Sequence, residues 1–178
     1  MNRKPISINE YAGYILNAMK KGILLNTKNG STEDTMTIGW GQIGTDWSLP
    51  VFTVYVRESR YTRELLDASG EFTISVPLQG QDVRRILSVC GTESGRDVDK
   101  FQKLGLHRIP GNLVSSPAVA ELPLTVECRV LYSQEQNPES IPASLIRKHY
   151  PDGDFHTAYI GQIVDAYILE KPFDESGN

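Results

Sequence analysis

Gly39-Trp-Gly41-Gln-Ile-Gly44-Thr-Asp-Trp-Ser-Leu-Pro50-Val-Phe-Thr-Val-Tyr-Val56 is the stretch on which the fold turns. Its first six residues match the G-x-G-x-x-G pattern of dinucleotide-binding folds, in which the glycines open a helix and pyrophosphate meets that helix's N-terminus. No helix opens here. Thr45-Asp-Trp-Ser-Leu-Pro50 is turn chemistry, and Val51 to Val56 is an almost unbroken β-branched and aromatic run that suits a strand buried on both faces. The dinucleotide reading is therefore set aside, and no G-x-x-x-x-G-K-[ST] phosphate loop occurs in the chain.

Before this stretch, Ser7 is placed to cap a helix through Met19, in which Tyr11, Ile15, Ala18 and Met19 recur at helical spacing and Gly22 ends the run. Gly22 to Lys28 reads as a strand. The Lys28-Asn-Gly-Ser31 turn leads to a second strand through Met36 and Ile38, as a hairpin with a longer polar tip. After it, Tyr61 to Ala68 reads as a short helix closed by Ser69-Gly70, and Phe72 to Val76 as a strand. Val83, Ile86, Leu87 and Cys90 share one helical face, and Val98 to Leu104 is another short helix ended by Gly105. Leu124, Val126, Cys128, Val130 and Tyr132 alternate along one face of a long strand, with Glu127 and Arg129 on the other. Ile141 to Tyr150 reads as helix and His156 to Glu170 as a final long strand.

Six or so strands with short helices between them, and no regular strand-helix alternation, predict a closed antiparallel sheet. The expected class is mainly β with α, a β-barrel plus short helices. A chain of 178 residues fits one domain over 1–178, with residues 1–21 as an N-terminal helical extension and 172–178 as a frayed, flexible tail.

The net charge of -4, with Lys and Arg dispersed, excludes a nucleic-acid partner, because phosphate-backbone binding needs a clustered cationic excess. No stretch approaches the roughly 18 apolar residues that span a membrane. Met1 to Ile6 lacks the apolar core of a signal peptide, so the expected location is cytoplasmic. The two cysteines, Cys90 and Cys128, form no C-x-x-C or zinc pattern. His107, His149 and His156 are scattered, so no metal site is expected.

Three segments share one chemistry. Cys90-Gly-Thr-Glu-Ser-Gly-Arg-Asp-Val-Asp-Lys-Phe101 concentrates small, hydroxyl and basic residues in a turn-rich stretch. Arg57-Glu-Ser-Arg-Tyr-Thr62 sets donors just before a helix, whose N-terminal amides favour an anion. A terminal phosphate is best held by arginine forks, hydroxyls and free backbone N–H groups. Thr35-Met-Thr-Ile-Gly-Trp-Gly41 offers Met36, Ile38 and Trp40 as an apolar rim, interrupted by Thr37 and Gly39 where backbone can approach a flat ring. Taken singly, the arginines read as solvated surface and the apolar residues as core. Together the segments predict a flat heteroaromatic ligand with a phosphate tail. Cys90 reads equally as packing or as redox chemistry.

These motifs, with Tyr159-Ile-Gly-Gln-Ile163, resemble the flavin reductase-like family in its flavoredoxin-related branch, in order and spacing from about Gly22 to Ile168. The resemblance implies an FMN-binding split β-barrel, a homodimer with the flavin near the subunit interface, and FMN as cofactor. It implies that Met36, Thr37, Ile38, Gly39 and Trp40 line the isoalloxazine, and that Arg57, Ser59, Arg60, Tyr61 and Thr62 hold the ribityl-phosphate side. Cys90, Gly91, Ser94, Gly95, Arg96 and Lys100 would close the other flank, with Tyr159 to Gly161 near the ring. Gln162 and Thr157-Ala158 depart from the acidic residue and the bulkier basic pair expected in relatives, which bears on the substrate side.

The implied activity is that of an FMN oxidoreductase in which NAD(P)H passes a hydride through the flavin. The alternative is a flavoredoxin-like electron carrier that docks to a redox partner protein without nicotinamide activity. Because a flavin carries such chemistry itself, no side-chain nucleophile is required. His156, at the start of the last strand, is the one catalytic candidate, as a nicotinamide contact or proton donor, beside its plainer reading as a strand-end histidine.

Overall fold

The structure, a computed structural model, describes residues 1–170; the expected tail over 172–178 lies outside the described residues. The strands are β1 (Asn2–Pro5), β2 (Ile23–Asn29), β3 (Thr32–Ile38), β4 (Gly41–Asp46), β5 (Leu49–Arg57), β6 (Glu71–Val76), β7 (Arg108–Ile109), β8 (Ala118–Val119), β9 (Leu124–Glu135) and β10 (His156–Glu170). The helices are α1 (Ile8–Met19), α2 (Tyr61–Ser69), α3 (Arg84–Thr92), α4 (Lys100–Leu104) and α5 (Ala143–His149).

One antiparallel sheet runs in the order β3-β2-β6-β9-β10-β5-β4. The first half of β10 pairs with β5 and its last residues pair with β1, so segment 1–21 holds a strand as well as the expected helix. Register shifts between Ile160 and Gly161 and between Ile163 and Asp165 bend β10 against β9, as bulges do. The two end strands of the path, β3 and β4, are consecutive in the chain and joined only by Gly39-Trp40. The sheet must therefore curl until its edges meet. No ladder joins them among the described residues, so the barrel is split along this seam.

Both hairpins are tighter than the residues suggest. Asn29 pairs with Thr32, leaving a two-residue tip instead of a longer polar one. Between β4 and β5, Trp47 and Ser48 take φ of 48° and 61°. Positive φ at both central residues marks a turn whose twist matches that of the flanking strands. Asp46 Oδ1 accepts from the Trp47 amide at 2.9 Å. The second and third glycines of the G-x-G-x-x-G match thus sit in a strand, and one has a packing reason. A Cβ on Gly41 would lie 2.9 Å from the Thr53 carbonyl oxygen and 3.1 Å from Met19 Cε, so glycine lets α1 close over the barrel mouth.

The interior is filled by Leu25, Met36, Phe52, Val54, Val56, Phe72, Ile74, Val126, Cys128 and Tyr159, with Ile15 and Met19 of α1 packed on top. A second cluster of Leu24, Cys90, Phe101, Leu106, Val119 and Leu122 lies under α3 and α4. Along β9, Leu124, Val126 and Cys128 are buried as expected, but the register shift at Leu131 breaks the alternation and leaves Tyr132 exposed, and the outer face is not solvated throughout. Glu127 has no exposed surface, because the segment between β7 and β8 covers it. Its carboxylate accepts from the amides of Asn112 at 2.6 Å, Leu113 at 2.7 Å and Val114 at 3.2 Å, and from the Tyr167 hydroxyl at 2.7 Å. Among the described residues no helix is long and apolar enough to cross a membrane.

Every one of the four donors meets an acceptor oxygen, which a glutamine side chain cannot reproduce because one oxygen becomes an NH2 donor. Glu127→Gln should lower unfolding stability by about 2 to 4 kcal/mol, and Tyr167→Phe by about 1 kcal/mol, as read from urea denaturation midpoints at unchanged slope.

Candidate functional site

The seam of the barrel opens into a groove with two joined lobes. One, of about 150 Å³, is lined by Met36, Thr37, Ile38, Gly39 and Trp40, with Tyr55, Arg57, Arg60 and His156. The other, of about 90 Å³, is lined by Ser59 to Thr62 from the start of α2, by Thr92 to Gly95, and by Asp34, Met36, Cys90 and Lys100. Met36 and Arg60 border both. The fold thus brings the three segments singled out in the sequence to one place.

The second lobe is rich in unused donors. Arg60 is the N-cap of α2 in extended conformation with no side-chain cap, and the Tyr61 and Thr62 amides find no protein acceptor among the described residues. The Ser94 and Gly95 amides facing them are likewise unpartnered. The Arg60 guanidinium makes no ion pair or hydrogen bond among the described residues, although it stands between the lobes. Free N–H groups, a helix N-terminus and an uncommitted guanidinium converging on one space are the donor set of an anion site.

The other cations of these segments are already engaged. Arg57 donates to the carbonyls of Asp154 at 2.8 Å and His149 at 3.0 Å, and lies over the Tyr150 ring at 5.1 Å. The Ser59 amide and hydroxyl both donate to the Asp154 carboxylate at 2.8 Å, so Arg57 and Ser59 anchor the loop before β10. Arg96 pairs with Glu64, donates to the Ser59 carbonyl at 3.2 Å and packs over Tyr61. Thr62 and Lys100 are buried against Asp34. Gly91 packs against Thr37. Cys90 is fully buried, and that burial pushes its thiol up to about 11, so it is protonated at neutral pH.

In the first lobe, β3 is a sheet edge, so alternate backbone groups along it are free of strand partners. The Thr37 hydroxyl is held by the Leu87 carbonyl at 2.7 Å. Trp40, 41% exposed, lies 4.9 Å from the His156 ring and edge-on to His149 at 5.2 Å. The Tyr150 hydroxyl donates to Gln136 Oε1 at 2.9 Å and contacts His156 Nδ1 at 2.8 Å. With its proton committed to Gln136, that hydroxyl accepts from Nδ1–H, which leaves Nε2 as the acceptor nitrogen. Burial, reinforced by the Arg57 and Arg60 charges, lowers the His156 pKa to about 4, against a weaker opposing pull from Asp154. The imidazole is neutral at pH 7.

Tyr159 and Gly161 do not line this groove. The Tyr159 ring is in the barrel interior, and its hydroxyl donates to Asp67 at 2.5 Å. Asp34 and Tyr55 line the site and Asp154 anchors its Arg57-Ser59 wall; none of the three was among the expected site residues. Tyr55 had a signal, as an aromatic with a polar tip in an otherwise apolar and β-branched strand. Asp34 had one too, since strand alternation sets it on the same face as Met36 and Ile38, whereas Asp154 had none, because it acts on segments distant in the chain. Among the described residues no group of three or more His, Cys, Asp or Glu is placed to hold a metal ion.

The architecture is that of a split antiparallel barrel with a donor-rich lobe and an apolar edge lobe at its seam. The family profile "Flavin reductase like domain" matches residues 16–176, and the chain belongs to that family. It is 29% identical over 138 residues to an uncharacterised protein of Archaeoglobus fulgidus, covering 71% of this chain and 67% of that protein. Among solved structures it is similar to the flavoredoxin of Desulfovibrio vulgaris (Miyazaki F), at 28% identity and TM-score 0.66, over 88% of this chain and 73% of that one. It is also similar to the flavoredoxin of Methanosarcina acetivorans, at 25% identity and TM-score 0.66, over 86% and 71%.

The lowered pKa of His156 has a definite sign in stability. Above about pH 6.5 the group is neutral in folded and unfolded chains alike and contributes no pH dependence. As pH falls from there towards 4, the unfolded chain takes up a proton that the folded one does not, so stability drops. An NMR titration should place the His156 midpoint near 4, and His156→Asn should flatten the stability profile across that window.

Proposed function

We propose that this chain is an FMN-dependent oxidoreductase that takes electrons from NAD(P)H and passes them to a small acceptor. The observation that carries the reading is the set of uncommitted donors in the anion lobe, the Arg60 guanidinium with four backbone amides, opening directly onto an apolar sheet edge. Those residues fit FMN: the lobe supplies charge and N–H groups for one phosphate, and Met36 to Trp40 supply apolar contact and free backbone for a flat ring. When bound, the flavin supplies the hydride and electron chemistry.

The protein's own part is binding, orientation and control of protons. Arg60 and the α2 amides would fix the phosphate end, while Met36 and Trp40 bound the ring. Neutral His156 offers Nε2 as an acceptor beside Trp40, suited to orient an amide or hydroxyl of a second substrate. The exposed side of Trp40 leaves an open approach for that substrate or for a redox partner protein. The reading includes a homodimer.

A second reading, an FMN electron carrier without nicotinamide activity, is favoured by the similarity to two flavoredoxins at 25% and 28% identity. Anaerobic mixing with NADH or NADPH separates the two. Bleaching of bound FMN within one turnover supports the oxidoreductase, and persistent oxidised flavin supports the carrier. A purified protein that takes up no FMN, judged by its visible spectrum, sinks both.

Arg60→Ala should weaken FMN binding by about 1 to 3 kcal/mol, the size of a lost charge-assisted contact. Arg96→Ala, which breaks an exposed ion pair, should change it by less than about 1 kcal/mol. Fluorescence titration of FMN measures both, and the reverse ranking would move the phosphate away from Arg60.

A further inference from the structure

Asp34 is a carboxylate in a place that electrostatics alone would forbid. It lines the anion lobe, is 3% exposed, and would repel a phosphate bound there. Its two oxygens are divided between two helices. Oδ1 lies 2.8 Å from Lys100 Nζ, at the first residue of α4, and Oδ2 accepts from the Thr62 hydroxyl at 2.6 Å, at the second residue of α2. Gly95 rests directly on the same carboxylate, since a Cβ there would lie 2.4 Å from Oδ1 and 2.9 Å from Oδ2.

Resting on the FMN reading above, we infer that Asp34 is the positioning residue of the phosphate lobe, joining the start of α2, the Ser94-Gly95 turn and the Lys100 ammonium into one rigid donor set. Each wall that supplies free amides touches this carboxylate, and Asp34 itself belongs to β3, the strand that forms the ring lobe. A buried ion pair adds little net stability, because desolvation offsets the Coulomb gain. What it supplies is geometry. Lys100, 2% exposed, lines the lobe and is paired with Asp34, which fixes where its ammonium sits.

The sign of one substitution separates positioning from simple charge. Asp34→Asn keeps the side chain's size but removes its charge. Were Asp34 only a nearby anion, FMN would bind the variant more tightly. As a positioning residue, its loss weakens FMN by about tenfold or more while riboflavin, which lacks the phosphate, changes less than about twofold.

Fluorescence titration of both flavins against the folded full chain gives this ratio. Tighter or unchanged FMN binding, or equal losses for the two flavins, overturns the inference. Should Asp34→Asn fail to fold, Thr62→Val should still produce the phosphate-selective loss at about threefold or more, and Thr62→Ser should restore wild-type selectivity. Equal effects of Val and Ser overturn it. Failure of the wild-type chain to bind FMN would instead refute the underlying reading, so the two failures are distinguishable.

Discussion

The two residues Gly39-Trp40 impose the constraint from which the rest of the architecture follows. They join β3 to β4, the opposite ends of a seven-strand path. At the usual strand spacing a flat sheet of that width would set those ends about 29 Å apart. Three consecutive Cα steps reach about 11 Å. The sheet has no choice but to curl, and the bulges in β9 and β10 take up the bend. Curling brings the edges close without pairing them, and backbone groups that a closed barrel would consume stay free along β3. The ring lobe is the consequence of that unclosed seam.

Two buried carboxylates then set the loops around the barrel, each by a different solution to the same desolvation problem. Glu127 is satisfied by three backbone amides and a tyrosine hydroxyl, and so pins the segment between β7 and β8 to the outer sheet face. Asp34 is satisfied by an ammonium and a hydroxyl from two helices, and so gathers the walls of the groove. Both occupy strand stretches that are buried on both faces. Glu127 could not be told from a solvated surface acid by pattern, because what covers it arrives from elsewhere in the chain, while Asp34 shares a strand face with Met36 and Ile38 but gives no sign of its partners.

Much of the fold was legible where local chemistry is strong. The helix after Ser7, whose side chain makes no capping hydrogen bond, the helices ended by Gly70 and Gly105, and the strands at Val51 to Val56 and His156 to Glu170 are read from periodicity, C-terminal glycines and β-branched runs. β4 was not. Gly41–Asp46 contains two glycines and an aspartate, poor strand formers, and becomes a strand only through its ladder with β5. β1 likewise exists because the end of β10 offers it an edge. At the site, the three segments and their chemistry were recognisable, but the division of labour among their arginines was not.

Residue order alone was enough for the antiparallel β class, for the three segments of the groove and for the family they resemble, since each rests on interactions within a few residues. It could not say that, among the described residues, Arg60 has no hydrogen-bond or ion-pair partner while Arg57 serves Asp154 and Arg96 serves Glu64. Nor could it say that Cys90 is a buried, protonated thiol or that Asp34 meets both Lys100 and Thr62 at the groove. Those outcomes depend on which side chains meet across 28 or more positions of chain. Burial and charge compensation are properties of the assembled barrel, and no local pattern carries them.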